Sequence, residues 1–372
     1  VSGKATPEAL AAALSGLEDF RQVSAAALRD MKTTGLAHDH YAIAGSPWIL
    51  RVPKQSQFGY SAERNLAYQA ACFSRVSQSG HAPRLKASLP PSPRLPMGAL
   101  LVEYIEGRPP RLPEDLPLLA SAMARVHALP LPNAGQRPPL EDHRDPVAGI
   151  WLEICEQARN LPAAGLSPEA AAEIEAELAW AESFAKAVEI GEGRQPVTLV
   201  LTDTHPGNFL ITPDEEGGSK AVIVDLEKAL YGSPGVDLAH ATVYSSTTWD
   251  VATQAELTSA EVAEFYRRYL EIARQSGGEA FADALRPWLI PMRRFLFLRA
   301  ITWCALWRVS HRSEATGGKE SAESTRDWSA ENSQAELIAH VRDRTDLYLS
   351  APVLKRMRAE WLESPGLEEL IG

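Results

Sequence analysis

The spacing of apolar positions changes once along the chain. Over the first hundred residues short alternating runs predict strands at 23–28, 40–44 and 48–52, punctuated by Gly35 and a Gly45-Ser46-Pro47 turn. Two more strands are predicted at 84–88 and 99–104, on either side of a proline-rich surface loop, LPPSPRLP. Thr6-Pro7-Glu8 reads as an N-cap, a first-turn proline and an early acid, opening a helix over 7–20. A second helix is predicted over 61–76, with Leu66, Ala70 and Phe73 on one face. Beyond Gly107 the period lengthens, and helices are predicted at 114–129, 144–160, 167–190, 259–276, 279–310 and 333–363. A single β-rich island interrupts them at 197–225. The polar, Gly/Ser-rich stretch 312–332 reads as a loop that is either a lid or a tether. The pattern divides the chain into a lobe at 1–103 and a lobe at 104–372.

Composition narrows the class. With 45% hydrophobic and 23% charged residues the 372-residue chain is globular, neither disordered nor fibrous. No apolar run approaches the roughly 20 residues of a membrane span, and the N-terminal segment has no signal-peptide core, so the cytoplasm is the expected location. Cys72, Cys155 and Cys304 form neither a metal-spaced pair nor a disulfide framework. A net charge of −11 argues against nucleic acid as a partner. The charge is uneven: residues 1–103 hold 11 basic and 7 acidic groups, against 26 and 41 in the rest. That split is either ordinary surface or a basic lobe for an anionic ligand beside an acidic lobe for a cationic one.

The chemistry concentrates in the β-island. A strand at 197–201 leads into a turn carrying Asp203 and, five residues on, Asn208. A short strand, a loop with Gly217-Gly218 and an apolar strand at 221–224 then end on Asp225, 17 residues beyond the Asn. Three oxygen-bearing side chains thereby reach the ends of adjacent strands. Such a set suits phosphoryl transfer, the first Asp accepting a hydroxyl proton while the Asn and second Asp hold Mg²⁺ against nucleotide phosphates. As turn formers and a strand-end cap the same residues would carry no chemistry.

These runs resemble the aminoglycoside phosphotransferase and choline kinase family. D-T-H-P-G-N (203–208) is similar to its catalytic loop, and V-D-L-E-K-A (224–229) followed by G-S-P-G-V-D (232–237) resembles its metal-binding strand and the segment after it. The likeness runs from about residue 24 to 245. It implies an α+β, two-lobed protein-kinase-like fold, with a small antiparallel-sheet N-lobe and a large, mostly helical C-lobe. It also implies an ATP- and Mg²⁺-dependent phosphotransferase acting on a small-molecule hydroxyl, with Asp203 as base and Asn208 and Asp225 as metal ligands. Asp237 and His205 are expected to brace the loop. The family's histidine two residues before the aspartate is Leu201 here. That departure keeps a second reading open, a catalytically silent nucleotide-binding module that serves as a partner-binding protein.

A kinase of this type needs a strand cation paired with a helical glutamate. Arg51 and Glu63 fit, with Lys54 as the alternative cation. Gly35 lies where the family has a phosphate-covering turn. Leu101–Gly107 resembles the hinge, which would set the Glu103 carbonyl and Ile105 amide against adenine, although an ordinary edge strand has the same pattern. Trp303 and Trp307, four apart on one helix, read either as core packing or as an aromatic wall for a cationic acceptor. Amino alcohols, aminoglycosides and sugars all remain open as acceptors.

Overall fold

The alternating first hundred residues form a five-stranded antiparallel sheet. In this computed structural model, residues 5–31, 37–191, 194–215, 217–314 and 335–372 are described, and they fall into two compact units, one of residues up to Glu106 and one of residues 107–314 and 336–372. The first unit contains α1 (Pro7–Leu14), β1 (Leu28–Asp30), β2 (His38–Ile43), β3 (Trp48–Pro53), α2 (Ala62–Val76), β4 (Leu85–Leu89) and β5 (Ala99–Glu103), with strand order β1-β2-β3-β5-β4. Strand alternation decides what each face carries. Leu50 and Val52 of β3 join Tyr41, Ile43, Leu101 and α1's Leu10 and Leu14 in one core. Arg51, between them in sequence, points the other way and sits 5.6 Å from the ring centroid of Phe73 on α2.

Two expectations shift here. The helix opened by Thr6 stops at Leu14 instead of 20, where Ser15-Gly16 takes over; glycine costs a helix about 1 kcal/mol. The strand expected at 23–28 is instead a 3₁₀ turn, Ala25–Ala27, followed by β1, because three alanines offer none of the β-branched surface that strands favour.

The second unit contains α3 (Leu116–His127), α4 (Pro146–Ala158), α5 (Pro168–Ile190), β6 (Thr198–Val200), β7 (Phe209–Pro213), β8 (Ser219–Ile223), β9 (Leu230–Gly232), α6 (Pro234–Thr242), α7 (Tyr244–Thr247), α8 (Ser259–Gly277), α9 (Glu279–Leu285), α10 (Leu289–Glu314), α11 (Ala335–Tyr348), α12 (Ala351–Leu362) and α13 (Leu367–Ile371). The chain enters this unit by a bridge between Arg108 and Ile211 of β7. Helix α10 is its axis, packed against α4, α5 and α6 and burying Met292, Phe295, Phe297 and Ile301. Each such side chain contributes about 1.5–3 kcal/mol. Buried ion pairs lock the far side, where Glu177 of α5 accepts from Arg294, Arg358 and Trp361.

The helix expected at 279–310 is broken by a 3₁₀ turn at Arg286–Trp288, and that at 333–363 divides at Ser350, with a proline at the start of the new helix. The segment 312–332 begins as helix, since α10 runs to Glu314, and 315–332 lie outside the described residues.

Candidate active site

Two short antiparallel ladders set the site. β7 and β8 pair from Phe209↔Ile223 to Pro213↔Ser219, and β6 pairs with β9 from Thr198↔Gly232 to Val200↔Leu230. Asn208 therefore precedes β7 just where Val224 and Asp225 follow β8, and the Asn208 carbonyl accepts the Val224 N–H at 2.9 Å.

Between β6 and that hairpin the chain turns sharply. Thr202 has φ +61°, among the described residues the one non-glycine in the left-handed region, a conformation that costs about 1–3 kcal/mol and persists only where its surroundings impose it. Asp237, fully buried on α6, imposes it by accepting the N–H groups of Leu201 at 2.8 Å and Thr202 at 2.7 Å. The Thr202 carbonyl accepts from Arg299 of α10 at 3.0 Å, and its hydroxyl donates to the Lys228 carbonyl at 3.0 Å. Thr204 donates its hydroxyl to the Asp237 carbonyl at 2.6 Å. Asp237 is held in turn by His127 of α3, at 3.0 Å from Nε2, and the other ring nitrogen lies 2.8 Å from the Tyr269 hydroxyl of α8. Burial, with Asp237 nearby, pushes that phenol well up. Tyr269 accordingly donates to Nδ1 and Nε2–H donates to the carboxylate. Asp237 thus braces the loop as expected. Leu201 is buried, and His127 supplies an imidazole to Asp237.

Asp203 is delivered just past this turn, with 22% of its side chain exposed. Lys228 Nζ holds Oδ2 at 2.6 Å, while His240 Nδ1 lies 3.7 Å from Oδ1, beyond hydrogen-bond length. Burial works to raise the carboxyl's pKa, but the Lys228 ammonium and the neighbouring histidines outweigh it and hold the group well below the usual carboxylate range. Burial also pushes His240 down to about 3, Asp203 opposing and Arg299 assisting, so its ring is neutral. Asn208 donates Nδ2–H to the Asp203 carbonyl at 2.8 Å, which turns its amide oxygen away from that carbonyl. Asn208 and Asp225 offer only hard oxygen donors. Among the described residues no cluster of three or more His, Cys, Asp or Glu is placed to hold a metal. Such a pair suits Mg²⁺, which takes one or two protein oxygens together with substrate phosphates.

On the other flank of the loop, a Cβ on Gly207 would meet Asp250 Oδ2 at 2.4 Å and His205 Cε1 at 2.9 Å. Only glycine lets that carboxylate approach so closely. Trp249, next to Asp250, packs edge-on against Trp303 at 5.9 Å between centroids. Trp303 is half-buried, whereas Trp307 is buried and stacked on His311 at 4.1 Å. Trp307 therefore packs and presents no open ring.

In the first unit, buried Arg51 lies 3.1 Å from His38 Nδ1, and His38 Nε2 lies 3.2 Å from Gln69 of α2. Because the guanidinium can only donate, Nδ1 accepts and Nε2–H donates to Gln69. Glu63 is exposed in the first turn of α2. Arg51 thus meets α2 at the Phe73 ring and through His38–Gln69, and exposed Glu63 is not brought to it. Lys54 pairs with Asp39 at 3.6 Å. Glu103 ends β5 with its carboxylate bound by Arg84, and Ile105 follows half-buried. Gly35 lies outside the described residues. Lys228 stands three residues after Asp225, with no sequence signal that marks it as a partner of Asp203. His127 and Arg299 left no local signal at all, being 76 residues before and 96 after Asp203.

The model of the phosphotransferase enzyme family (APH) matches residues 32–281. No curated protein matches the chain. Among solved structures, a choline/ethanolamine kinase family protein from Mesorhizobium loti is 15% identical, with 97% of each chain covered and a TM-score of 0.54. The choline kinase of Cryptosporidium parvum Iowa II is 13% identical, with 92% of this chain and 96% of that one covered and a TM-score of 0.55. A GDP complex of aminoglycoside 2'-phosphotransferase-IIIa is 13% identical, covers 91% and 99%, and has a TM-score of 0.54. These likenesses establish the kinase-like two-lobed α+β fold.

Proposed function

The chain belongs to the phosphotransferase enzyme family, and from that premise we propose that it is an ATP- and Mg²⁺-dependent kinase for a hydroxyl group of a small, cationic molecule. The observation that carries this reading is the state of Asp203: ionised, with Oδ2 tied to Lys228 and Oδ1 clear of a hydrogen bond. A carboxylate so held orients an acceptor hydroxyl and takes its proton late, once the O–P bond is forming, as a loose phosphoryl-transfer transition state requires. Asn208 and Asp225 are the proposed metal ligands. Magnesium, when bound there, neutralises phosphate oxygens. Arg51 is the proposed partner of the α/β-phosphates, kept in position by His38, while the Glu103 carbonyl and Ile105 amide are proposed to meet the adenine edge. Glu63 would reach Arg51 only through a side-chain rearrangement on nucleotide binding, and Gly35 is proposed for the phosphate-covering turn.

A cationic acceptor is favoured by two features of the second unit. Asp250 presses its carboxylate against the catalytic loop at Gly207, and the Trp249–Trp303 pair stands beside it. A carboxylate together with the face of an aromatic ring suits an amine. Trp303 is therefore proposed as an acceptor contact, and Trp307 as support for it.

The test starts with thermal shift against ATP and GTP, with and without Mg²⁺. Release of nucleoside diphosphate is then measured across choline, ethanolamine, aminoglycosides and neutral sugars. Metal-dependent ATP stabilisation with turnover on an amine-bearing alcohol is expected. Nucleotide binding with no turnover on any alcohol, in a protein whose Asp203→Asn variant is indistinguishable from wild type, would reject the kinase reading.

A further inference from the structure

Lys228 is the cation closest to the proposed base, and its placement is not explained by packing. It stands on the segment between β8 and β9, three residues beyond Asp225, with 30% of its side chain exposed. Its backbone is fixed, because the Lys228 carbonyl accepts the Thr202 hydroxyl at 3.0 Å and the Ala229 N–H bonds to the Leu226 carbonyl at 3.1 Å. Only the four-carbon stem is left free to move. Among the described residues the ammonium makes one hydrogen bond, to Asp203 Oδ2. An ammonium has three donors, so two remain. Asp225 and Glu227 lie close enough to add to the field that keeps the amine protonated.

Resting on the kinase reading above, we propose that Lys228 is a catalytic residue whose spare donors bind the phosphoryl group in flight. The geometry argues for it as follows. A base meets its hydroxyl at about 2.6–3.2 Å, and the hydroxyl oxygen stands about 3–3.5 Å from the phosphorus it attacks. A phosphoryl group facing Asp203 Oδ1 is then within a lysine's reach of a stem already anchored at Oδ2. In the transfer the acceptor oxygen forms a bond to phosphorus and the bond from phosphorus to the leaving diphosphate oxygen breaks. The hydroxyl proton passes to Asp203 Oδ1. Lys228 keeps all its protons, and its charge moves from balancing Asp203 alone to balancing the equatorial oxygens as well. Two jobs therefore fall to one residue: locking Oδ2, so that Oδ1 is the oxygen offered to the acceptor, and bearing phosphoryl charge.

The experiment needs no knowledge of the acceptor. Affinities for ADP and for the non-hydrolysable β,γ-imido analogue of ATP, both with Mg²⁺, are measured by calorimetry on wild type, Lys228→Met, Lys228→Arg, Asp203→Asn and the Lys228→Met/Asp203→Asn double variant. Hydrolysis of ATP with water as acceptor is followed in parallel. Lys228→Met is expected to lose about tenfold or more in analogue affinity with ADP affinity within twofold, and hydrolysis should fall by about 100-fold. Lys228→Arg should recover most of the analogue affinity. The double variant separates contact from charge balance: a lysine that only neutralises Asp203 matters no longer once residue 203 is neutral, whereas a phosphoryl contact still costs its full factor. Unchanged analogue-to-ADP preference in Lys228→Met, or a loss that vanishes in the Asp203→Asn background, overturns the proposal while leaving the kinase reading intact. A wild type that binds neither nucleotide fails the kinase reading itself, and the proposal with it.

Discussion

The Asp237 carboxylate accepts the Thr202 N–H at 2.7 Å, and that bond sustains a threonine at φ +61° immediately before the proposed base. The same carboxylate takes the Leu201 N–H and the His127 imidazole. One buried side chain therefore joins α6 to α3 and sets the direction in which Asp203 leaves the turn. Replacing Asp237 by Asn puts an NH₂ among three donors. Loss of charge-assisted bonds of this kind, with a donor left unmet, should destabilise the protein by about 2–4 kcal/mol. Urea denaturation measures that loss, and transfer rate should fall further than the folded fraction explains, because the turn relaxes. A variant with wild-type stability and rate would remove Asp237 as the brace.

Asp225 is a proposed metal ligand and takes no part in the turn. It follows β8 on the same hairpin as Asn208, and both offer hard oxygens. Asp225→Ala should abolish the Mg²⁺ dependence of nucleotide binding, with folding little affected at a half-buried strand end. The check is nucleotide titration by thermal shift at several Mg²⁺ concentrations. A metal response equal to that of wild type would take Asp225 out of the site.

His240 supplies a pH signature. Burial holds its folded pKa near 3, below the ordinary value of 6.5, so in acid the unfolded chain takes up a proton that the folded one refuses. Stability contributed by this group is complete above about pH 6.5 and is lost as pH falls towards 3. Between pH 6.5 and 4.5 wild type should lose about 2 kcal/mol that a His240→Gln variant keeps. Asp203 works in the same sense, its depressed pKa costing stability only below its own unfolded value near 4. Denaturant titrations at those two pH values decide it, and parallel pH slopes in the two proteins would contradict the assignment.

What the sequence made legible was the part of the site built from neighbours in the chain. Asp203, Asn208 and Asp225 sit at strand ends whose periodicity is plain, and hairpin pairing alone brings the last two together. Arg51 was likewise readable, as a cation inside an apolar strand. The partners of these groups were not. His127, Arg299 and Asp250 arrive through helix packing and a loop after α7, and nothing in the local pattern marks which polar residue will face a loop more than 40 residues away. β9 went unseen because three residues are too few to show alternation. Trp303 and Trp307 share a helix face by spacing, yet neighbours on α10 leave one half-buried and the other buried.

Gly207 offers the last test, because its environment couples the catalytic loop to the proposed acceptor carboxylate. A Cβ there would lie 2.4 Å from Asp250 Oδ2, far inside contact distance. The tip of Asp250 has little room to retreat, since its other oxygen accepts the Ala252 N–H at 2.8 Å. His205 Cε1 stands 2.9 Å from the same Cβ, so the loop itself has to move. Gly207→Ala should therefore cost about 1–3 kcal/mol in stability and lower transfer by at least tenfold, because the shifted loop carries Asp203 and Asn208. In an Asp250→Ala background the obstacle is gone, and the added cost of Gly207→Ala should shrink by about 1 kcal/mol or more, a coupling characteristic of residues in contact. Acceptor KM separates the two residues further: Asp250→Ala should raise it for an amine-bearing alcohol and leave it unchanged for a neutral one, whereas Gly207→Ala should act mainly on kcat. Strictly additive stability effects would show that the two residues do not touch in solution, and an Asp250→Ala variant blind to acceptor charge would remove the carboxylate from acceptor binding.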